Sequence, residues 1–147
     1  MAALLNRQAT FNYFIEDRFE AGLQLVGTEV KSLREGKASF NDAYCLIEEG
    51  EIWIKSLHIA PYTHGTNSNH DPIRARKLLL QKREIKKIAS QLKERGFTLI
   101  PLKIFFKTNG FAKIEIGLAR GKKQADKRES LKKKQAEREM KRDQSVD

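Results

Sequence analysis

The residues able to carry acid–base or metal chemistry are few and poorly spaced for it. His58, His64 and His70 are the only three histidines, and each lies six residues from the next in a loop-rich stretch. A zinc site asks for close ligand pairs such as HxxxH or CxxC, and neither pattern occurs. Cys45 is the only cysteine, so it forms no internal disulfide and builds no cysteine-rich metal site. It falls in a strand-like run, which fits a buried structural thiol. Carboxylates cluster at Glu16, Asp17 and Glu20, and again at Glu48, Glu49 and Glu51. Nothing in their spacing places two around a scissile bond. A Walker loop, a GxSxG nucleophile and a dinucleotide fingerprint are absent. The expectation is a protein with no catalytic residue, no metal and no cofactor.

The basic groups form the stronger pattern. Arg74, Arg76 and Lys77 precede a run of three leucines, Lys31, Arg34 and Lys37 crowd around a short helical stretch, and Lys113, Arg120, Lys122 and Lys123 mark the end of the last strand-like segment. Guanidinium forks and ammonium groups neutralise phosphates and release counterions. Aromatics such as Phe11, Tyr13, Phe14 and Tyr62 offer rings for unpaired bases, although rings in strand patterns more often pack a core. Any one cluster could be a solvated face. Their number on one chain favours RNA.

Those groups need a scaffold, and the pattern supplies one. Residues 11–19 and 21–26 read as a strand that bends or bulges at Gly22. Thr28 can cap a short helix over 29–34, closed by Gly36. Residues 43–47 and 52–57 flank an Glu-Glu-Gly-Glu turn and read as a hairpin. Residues 58–69 read as a long loop, and Asp71-Pro72 as a helix start. Ile85, Ile88, Ala89 and Leu92 recur with helical spacing, predicting a helix over 82–95 that Gly96 stops. Residues 97–106 and 111–118 are the last strands, with a turn at Thr108-Asn109-Gly110. The fold class expected is mainly β with inserted helices.

The chain of 147 residues has a formal net charge of +10, a sequence pI near 9.8 and a charged fraction of 33%. That excess favours a polyanionic partner. Residues 120–147 hold 11 Lys/Arg against 6 Asp/Glu, so half of the excess sits in the last 28 residues. This segment lacks an apolar stripe. We therefore read 1–119 as a folded body and 120–147 as a basic tail, disordered in isolation and able to fold against phosphates. No basic leader with an apolar core opens the chain and no apolar run approaches membrane-helix length, so the expectation is a cytoplasmic protein without a membrane partner.

Several stretches, taken in order, resemble one family. They are Asn6-Arg7-Gln-Ala9; residues 13–22, YFIEDRFEAG; Gly27 to Arg34, GTEVKSLR, followed by Gly36-Lys37; residues 71–80, DPIRARKLLL; Pro101-Leu-Lys103; and residues 121–128, GKKQADKR. Together they are similar to the small protein B (SmpB) family of tmRNA-binding proteins over nearly the whole chain. The resemblance implies an oligonucleotide-binding (OB) fold-like antiparallel barrel with added helices. It also implies a role without catalysis. The body would grip the tRNA-like domain of tmRNA. The tail would become helical in the vacant decoding centre and mRNA channel of a stalled ribosome. Delivery would involve alanyl-tmRNA with elongation factor Tu–GTP, and the nascent peptide would be tagged for degradation.

Carried over by motif, Glu20 and Lys113 match positions tied to tmRNA binding. Asn6, Arg7, Lys31, Arg34, Lys37, Arg74, Arg76, Lys77 and Arg120 are expected on or near that surface. Lys122, Lys123, Asp126, Lys127 and Arg128 match the tail motif linked to the decoding centre. Ala125 stands where the family often has His or Tyr, so a stacking contact by that side chain is lost. Arg120 stands where Lys is common, which keeps charge and alters hydrogen-bond geometry. Two other readings compete on the residues alone: a general single-strand-binding OB module, with similar affinity for unrelated strands, and a nucleic-acid enzyme, for which no acid–base pair is found.

Overall fold

Alternation of apolar and polar residues makes strands the larger part of the regular structure. In the computed structural model, which describes residues 3–65, 69–94 and 96–121, the order is β1 (Leu4–Leu5), α1 (Arg7–Asn12), β2 (Tyr13–Leu23), α2 (Gly27–Arg34), β3 (Ala38–Ser39), β4 (Tyr44–Glu48), β5 (Glu51–Lys55), β6 (His58–Ile59), β7 (Arg76–Leu79), α3 (Lys82–Leu92), β8 (Phe97–Phe106) and β9 (Ala112–Gly121). Seven strands join in the order β1-β8-β9-β2-β7-β5-β4, every neighbour antiparallel. β4 also packs against β8, so the sheet curls back towards itself. This is the OB-like, mainly β architecture with inserted helices. β3 and β6 pair separately.

One face of the curled sheet is the core. Ile52 and Ile54 of β5, Leu78 of β7, Ile104 of β8 and Ile114, Ile116 and Leu118 of β9 are all fully buried. Leu33 of α2 and Ile88 of α3 close the core from the helices. α3 buries Ile85 and Ile88, as its periodicity required, and Gly96 follows at φ 83°. The β4–β5 hairpin turns at Glu49 and Gly50, both with positive φ. That conformation costs little at glycine and more at glutamate.

Five local expectations are corrected. Residues 7–12 form a helix, which takes in Phe11 and Asn12 from the strand expected over 11–19. Ala9 of that helix is buried with Ile100, Leu102 and Ala119 in a second, small cluster, a tertiary contact that no local pattern announces. β2 bulges between Ile15 and Asp17, not at Gly22. Gly22 is needed for another reason: a Cβ there would lie 3.2 Å from the Cβ of Leu79 on β7. Thr28 does not cap α2. Its hydroxyl meets Nδ1 of His70 at 2.8 Å, and the Glu29 carboxylate accepts the Val26 N–H at 2.9 Å. The loop 58–69 contains β6. Asp71-Pro72 opens no helix: Asp71 Oδ1 accepts the Ile73 N–H at 3.1 Å, and the turn leads into β7.

A buried ion cluster ties these elements together. Glu29 on α2 and Arg76 on β7 both have fully buried side chains. Glu29 Oε2 accepts from Arg76 Nε at 2.7 Å, and Arg74 reaches the same carboxylate at 2.7 and 3.1 Å. Arg76 also donates to the carbonyls of Leu57 and Pro72. Burial alone would raise the Glu29 pKa. The hydrogen bonds from Arg74 and the Val26 N–H, with the Arg76 charge, outweigh it and hold the carboxyl below its ordinary 4.5.

Glu29→Ala leaves Arg76 buried and uncompensated. We expect a loss of about 3–5 kcal/mol in urea unfolding at neutral pH. A depressed folded pKa means that the contribution is present above pH 4.5 and is lost as pH falls through the folded value. The gap between wild type and variant should therefore narrow in acid.

Candidate nucleic-acid interface

The outer face of the sheet gathers several of the residues singled out by sequence. Register fixes which side chains share it. Gly22 of β2 pairs with both Lys113 of β9 and Leu79 of β7, and Glu20 pairs with Glu115. Lys113 pairs in turn with Phe105 of β8, and Glu115 with Lys103. On the other flank Lys77 of β7 pairs with Trp53 of β5. Paired residues point to one side of a sheet. Lys77, Glu20 and Lys113 therefore lie on one outer surface, with Arg18, Lys103 and Glu115.

The charges on this face are partly matched. Glu20 stands 3.1 Å from Lys107 Nζ, and Glu115 stands 3.2 Å from Arg18 Nη1. Among the described residues, Lys103 and Lys113 have no carboxylate within 4.0 Å. Glu20 cannot attract a phosphate; on this face it is the exposed ion-pair partner of Lys107. Lys77 is 3.9 Å from Glu51.

The turn of the β8–β9 hairpin joins this face to α2. Arg34 projects from the last turn of α2, donates to the Gly110 carbonyl at 3.3 Å and covers the Phe106 ring at 4.4 Å. Lys31 is exposed and lies 5.6 Å from the Tyr62 ring, and Lys37 is exposed beside Glu35 at 3.5 Å. Lys31, Arg34 and Lys37 thus form a basic edge next to the hairpin.

Other sequence-derived candidates lie elsewhere or face inward. Arg76 does not stand on a surface: its side chain is 0% exposed and committed to Glu29 and backbone carbonyls, so its contribution is to place α2. Arg74 is part-exposed, with its fork engaged by the same carboxylate. Asn6 is half-buried and donates to the Pro101 carbonyl at 2.8 Å. It and the exposed Arg7 border a cleft of about 380 Å³ with Tyr13, Asn41 and Tyr44. Arg120 sits about 23 Å along β9 from Lys113 at strand rise. It pairs with Glu16 at 2.8 Å. Lys122, Lys123, Asp126, Lys127 and Arg128, with the whole segment 122–147, lie outside the described residues.

Arg18, Lys103, Lys107 and Glu115 were missed by cluster counting. The period-two alternation of β2 and β9 would have found Arg18 and Glu115; β8 gives no such signal for Lys103 or Lys107. Cys45 is buried, and burial pushes its thiol pKa up. His70 is buried, bonded to the Ile59 carbonyl at 2.9 Å as well as to Thr28. Among the described residues no three His, Cys, Asp or Glu side chains come together to hold a metal.

Comparison with known proteins places this geometry. The family model "SmpB protein" matches residues 3–146. An SsrA-binding protein of Geobacter sulfurreducens is 56% identical over 135 residues, covering 92% of this chain and 88% of the relative. One from Fervidobacterium nodosum is 55% identical over 136 residues, covering 92% and 91%. One from Geobacillus thermodenitrificans is 52% identical over 137 residues, covering 93% and 88%. A solved structure described as "tmRNA-SmpB: a journey to the center of the bacterial ribosome" contains a chain similar at a TM-score of 0.72 and 47% identity, covering 92% of this chain and 95% of that one.

Arg34 braces the hairpin as well as adding charge. Arg34→Lys keeps the charge and loses the planar fork. In hydrogen exchange, the Gly110 amide, which donates to the Lys107 carbonyl at 2.8 Å, should open roughly tenfold faster. Amides of β2 and β9 far from the turn should be unchanged.

Proposed function

This chain belongs to the SmpB family, and from that premise we propose that it binds the tRNA-like domain of tmRNA and serves trans-translation as an RNA-binding adaptor, without catalysis of its own. The observation that carries the reading is the single outer surface of Lys77, Glu20 and Lys113, extended through the β8–β9 hairpin to Arg34, Lys31 and Lys37. Lysine and arginine on a fixed, curved surface contact the phosphate backbone of a folded RNA by shape. Phosphate contacts supply affinity and position, and the sheet geometry restricts which RNA shapes fit. Glu20 enters as the ion-pair partner of Lys107.

The basic tail has the second task. With the body on the tRNA-like domain, the segment after Gly121, where β9 ends rather than at residue 119, extends into the vacant decoding centre and mRNA channel of a stalled ribosome. Lys122, Lys123, Asp126, Lys127 and Arg128 engage the RNA there. The tail is rich in helix formers and has no glycine or proline after Gly121. Its charge is neutralised by rRNA phosphates, which removes the repulsion that opposes a helix. Ala125 presents no ring, so this tail works through charge and helix formation instead of stacking at that position. Alanyl-tmRNA arrives with elongation factor Tu–GTP, translation resumes on the tmRNA frame, and the stalled peptide is tagged and the ribosome released. The setting is cytoplasmic. Among the described residues no helix is long and apolar enough to cross a membrane.

Two tests separate body from tail. Lys113→Glu should weaken binding to the tRNA-like domain roughly tenfold more than Lys141→Glu in a gel-shift titration. Equal losses would mean diffuse charge attraction. Truncation after Gly121 should leave that affinity within about threefold and abolish peptide tagging in a reconstituted stalled-ribosome assay. Tagging by the truncated protein would contradict the role given to the tail.

A further inference from the structure

The last residues of β9 are held from several sides. Arg120 pairs with Phe14 of β2 and with Phe97 of β8, and Gly121 pairs with Tyr13 of β2. Arg120 Nε and Nη2 both donate to Glu16 Oε2, at 3.2 and 2.8 Å. The guanidinium lies 5.7 Å from the centre of the Phe97 ring. Glu16 reaches Arg120 because of the bulge in β2. Ile15 pairs with Ala119 and Asp17 with Leu118, so Glu16 is the extra residue between them. A bulge bends its strand and re-aims a side chain. Asp17, next to it, lies 3.8 Å from Lys87 Nζ on α3.

Stability does not account for this arrangement. Both side chains are part-exposed, 54% for Arg120 and 39% for Glu16, and an exposed ion pair adds little to folding. Its position is what distinguishes it. The pair closes one residue before β9 ends and the basic tail begins. The chain has 26 residues after Gly121. As a helix they would span about 39 Å, so an exit angle wrong by roughly 20° would carry the far end about 13 Å off course. An arginine fork that sits on a carboxylate is also poorly placed to receive a phosphate.

We propose that Glu16, Arg120 and Phe97 form a clasp that sets the direction in which the tail leaves the body, which makes Arg120 a positioning residue for tail entry and not an RNA ligand. The clasp joins three strands at one point. Glu16 stands on β2 and Phe97 on β8, the two neighbours of β9, so the guanidinium between them holds the end of β9 against both. The same strand carries Lys113 near its start. The proposed tmRNA surface and the root of the tail are thus two ends of one strand. An RNA held at one end fixes the line along which the chain departs at the other. The inference rests on the tail role proposed above and adds the residues that aim it.

The test uses the full chain. Glu16→Ala removes a negative charge and leaves Arg120 in place, so diffuse attraction to RNA would rise or stay the same. The clasp predicts instead that peptide tagging on stalled ribosomes falls roughly tenfold while affinity for the tRNA-like domain stays within about threefold. Exchanging the pair, Glu16→Arg with Arg120→Glu, should restore tagging to within about threefold of wild type, since the ion pair is remade with its charges reversed. Wild-type tagging by Glu16→Ala overturns the clasp. So does an exchanged pair that tags no better than Arg120→Glu alone, which would make the Arg120 cation itself the ligand. A second readout needs no ribosome. With nitroxides on Lys86→Cys and Gln124→Cys, the distance distribution between α3 and the root of the tail should be broader when Glu16→Ala is added; Cys45 is buried and takes no label. An unchanged distribution overturns the clasp whatever tagging does. Tagging by the protein truncated after Gly121 is a separate failure, of the role given to the tail, and leaves the clasp to be judged by the distances.

Discussion

Glu29 is buried between two arginines, and the placement of α2 beside the proposed RNA surface depends on that contact. The carboxylate sits on α2, between β2 and β3 in the chain, while Arg74 and Arg76 arrive from the far side of the long loop. The cluster fixes how α2 lies against β7. Arg34, at the other end of α2, fixes the β8–β9 turn in the same way from outside. One short helix thus reads out the position of two distant parts of the sheet. Removing one partner of such a cluster costs more than the cluster adds, because the remaining charge is left dry. What it supplies is placement of Lys31, Arg34 and Lys37 relative to Lys113 and Glu20.

The same economy runs through the sheet. β2 and β9 each spend alternate residues on the core, and the intervening positions carry Arg18, Glu20, Lys113 and Glu115 outward. Gly22 matters at the centre of this face because a side chain there would press on Leu79, and Leu79 belongs to the strand that brings Lys77 to the surface. A face assembled by register is stiff, and stiffness is what distinguishes recognition of a folded RNA from attraction to any polyanion. The basic tail has the opposite character in composition, polar throughout and without an apolar stripe, suited to folding where phosphates surround it.

Much of this was legible in the residues. Helix α3, the two hairpins and the alternation of β9 follow from periodicity and turn chemistry, which are local. The errors were non-local. Arg74 and Arg76 look like RNA ligands because a sequence displays their charge and not their partner, 45 and 47 residues away. Asp71-Pro72 satisfies the rule for a helix start, yet the segment is claimed by Arg76, which donates to the Pro72 carbonyl, and by the Ile59 N–H on the same oxygen. Helix α1 is only six residues long and takes its support from Ile100, Leu102 and Ala119, so no local signal could carry it. Within the candidate site, Glu20 came from family resemblance alone, whereas Lys113 also stood out in a basic cluster. Their shared face needed the strand register. Lys103 and Lys107 were passed over because they form no cluster in sequence, and β8, buried continuously from Leu99 to Leu102, shows no simple alternation that would mark them.

The central claim is that a shaped surface, and not net charge, selects the RNA. Its most direct test is a competition titration at near-physiological salt, with the tRNA-like domain of tmRNA against an unstructured RNA of equal length. The account expects the tRNA-like domain to win by roughly a thousandfold or more, within the range by which specific nucleic-acid complexes exceed non-specific ones. Equal affinity for the two would contradict it and would make this protein a general single-strand binder.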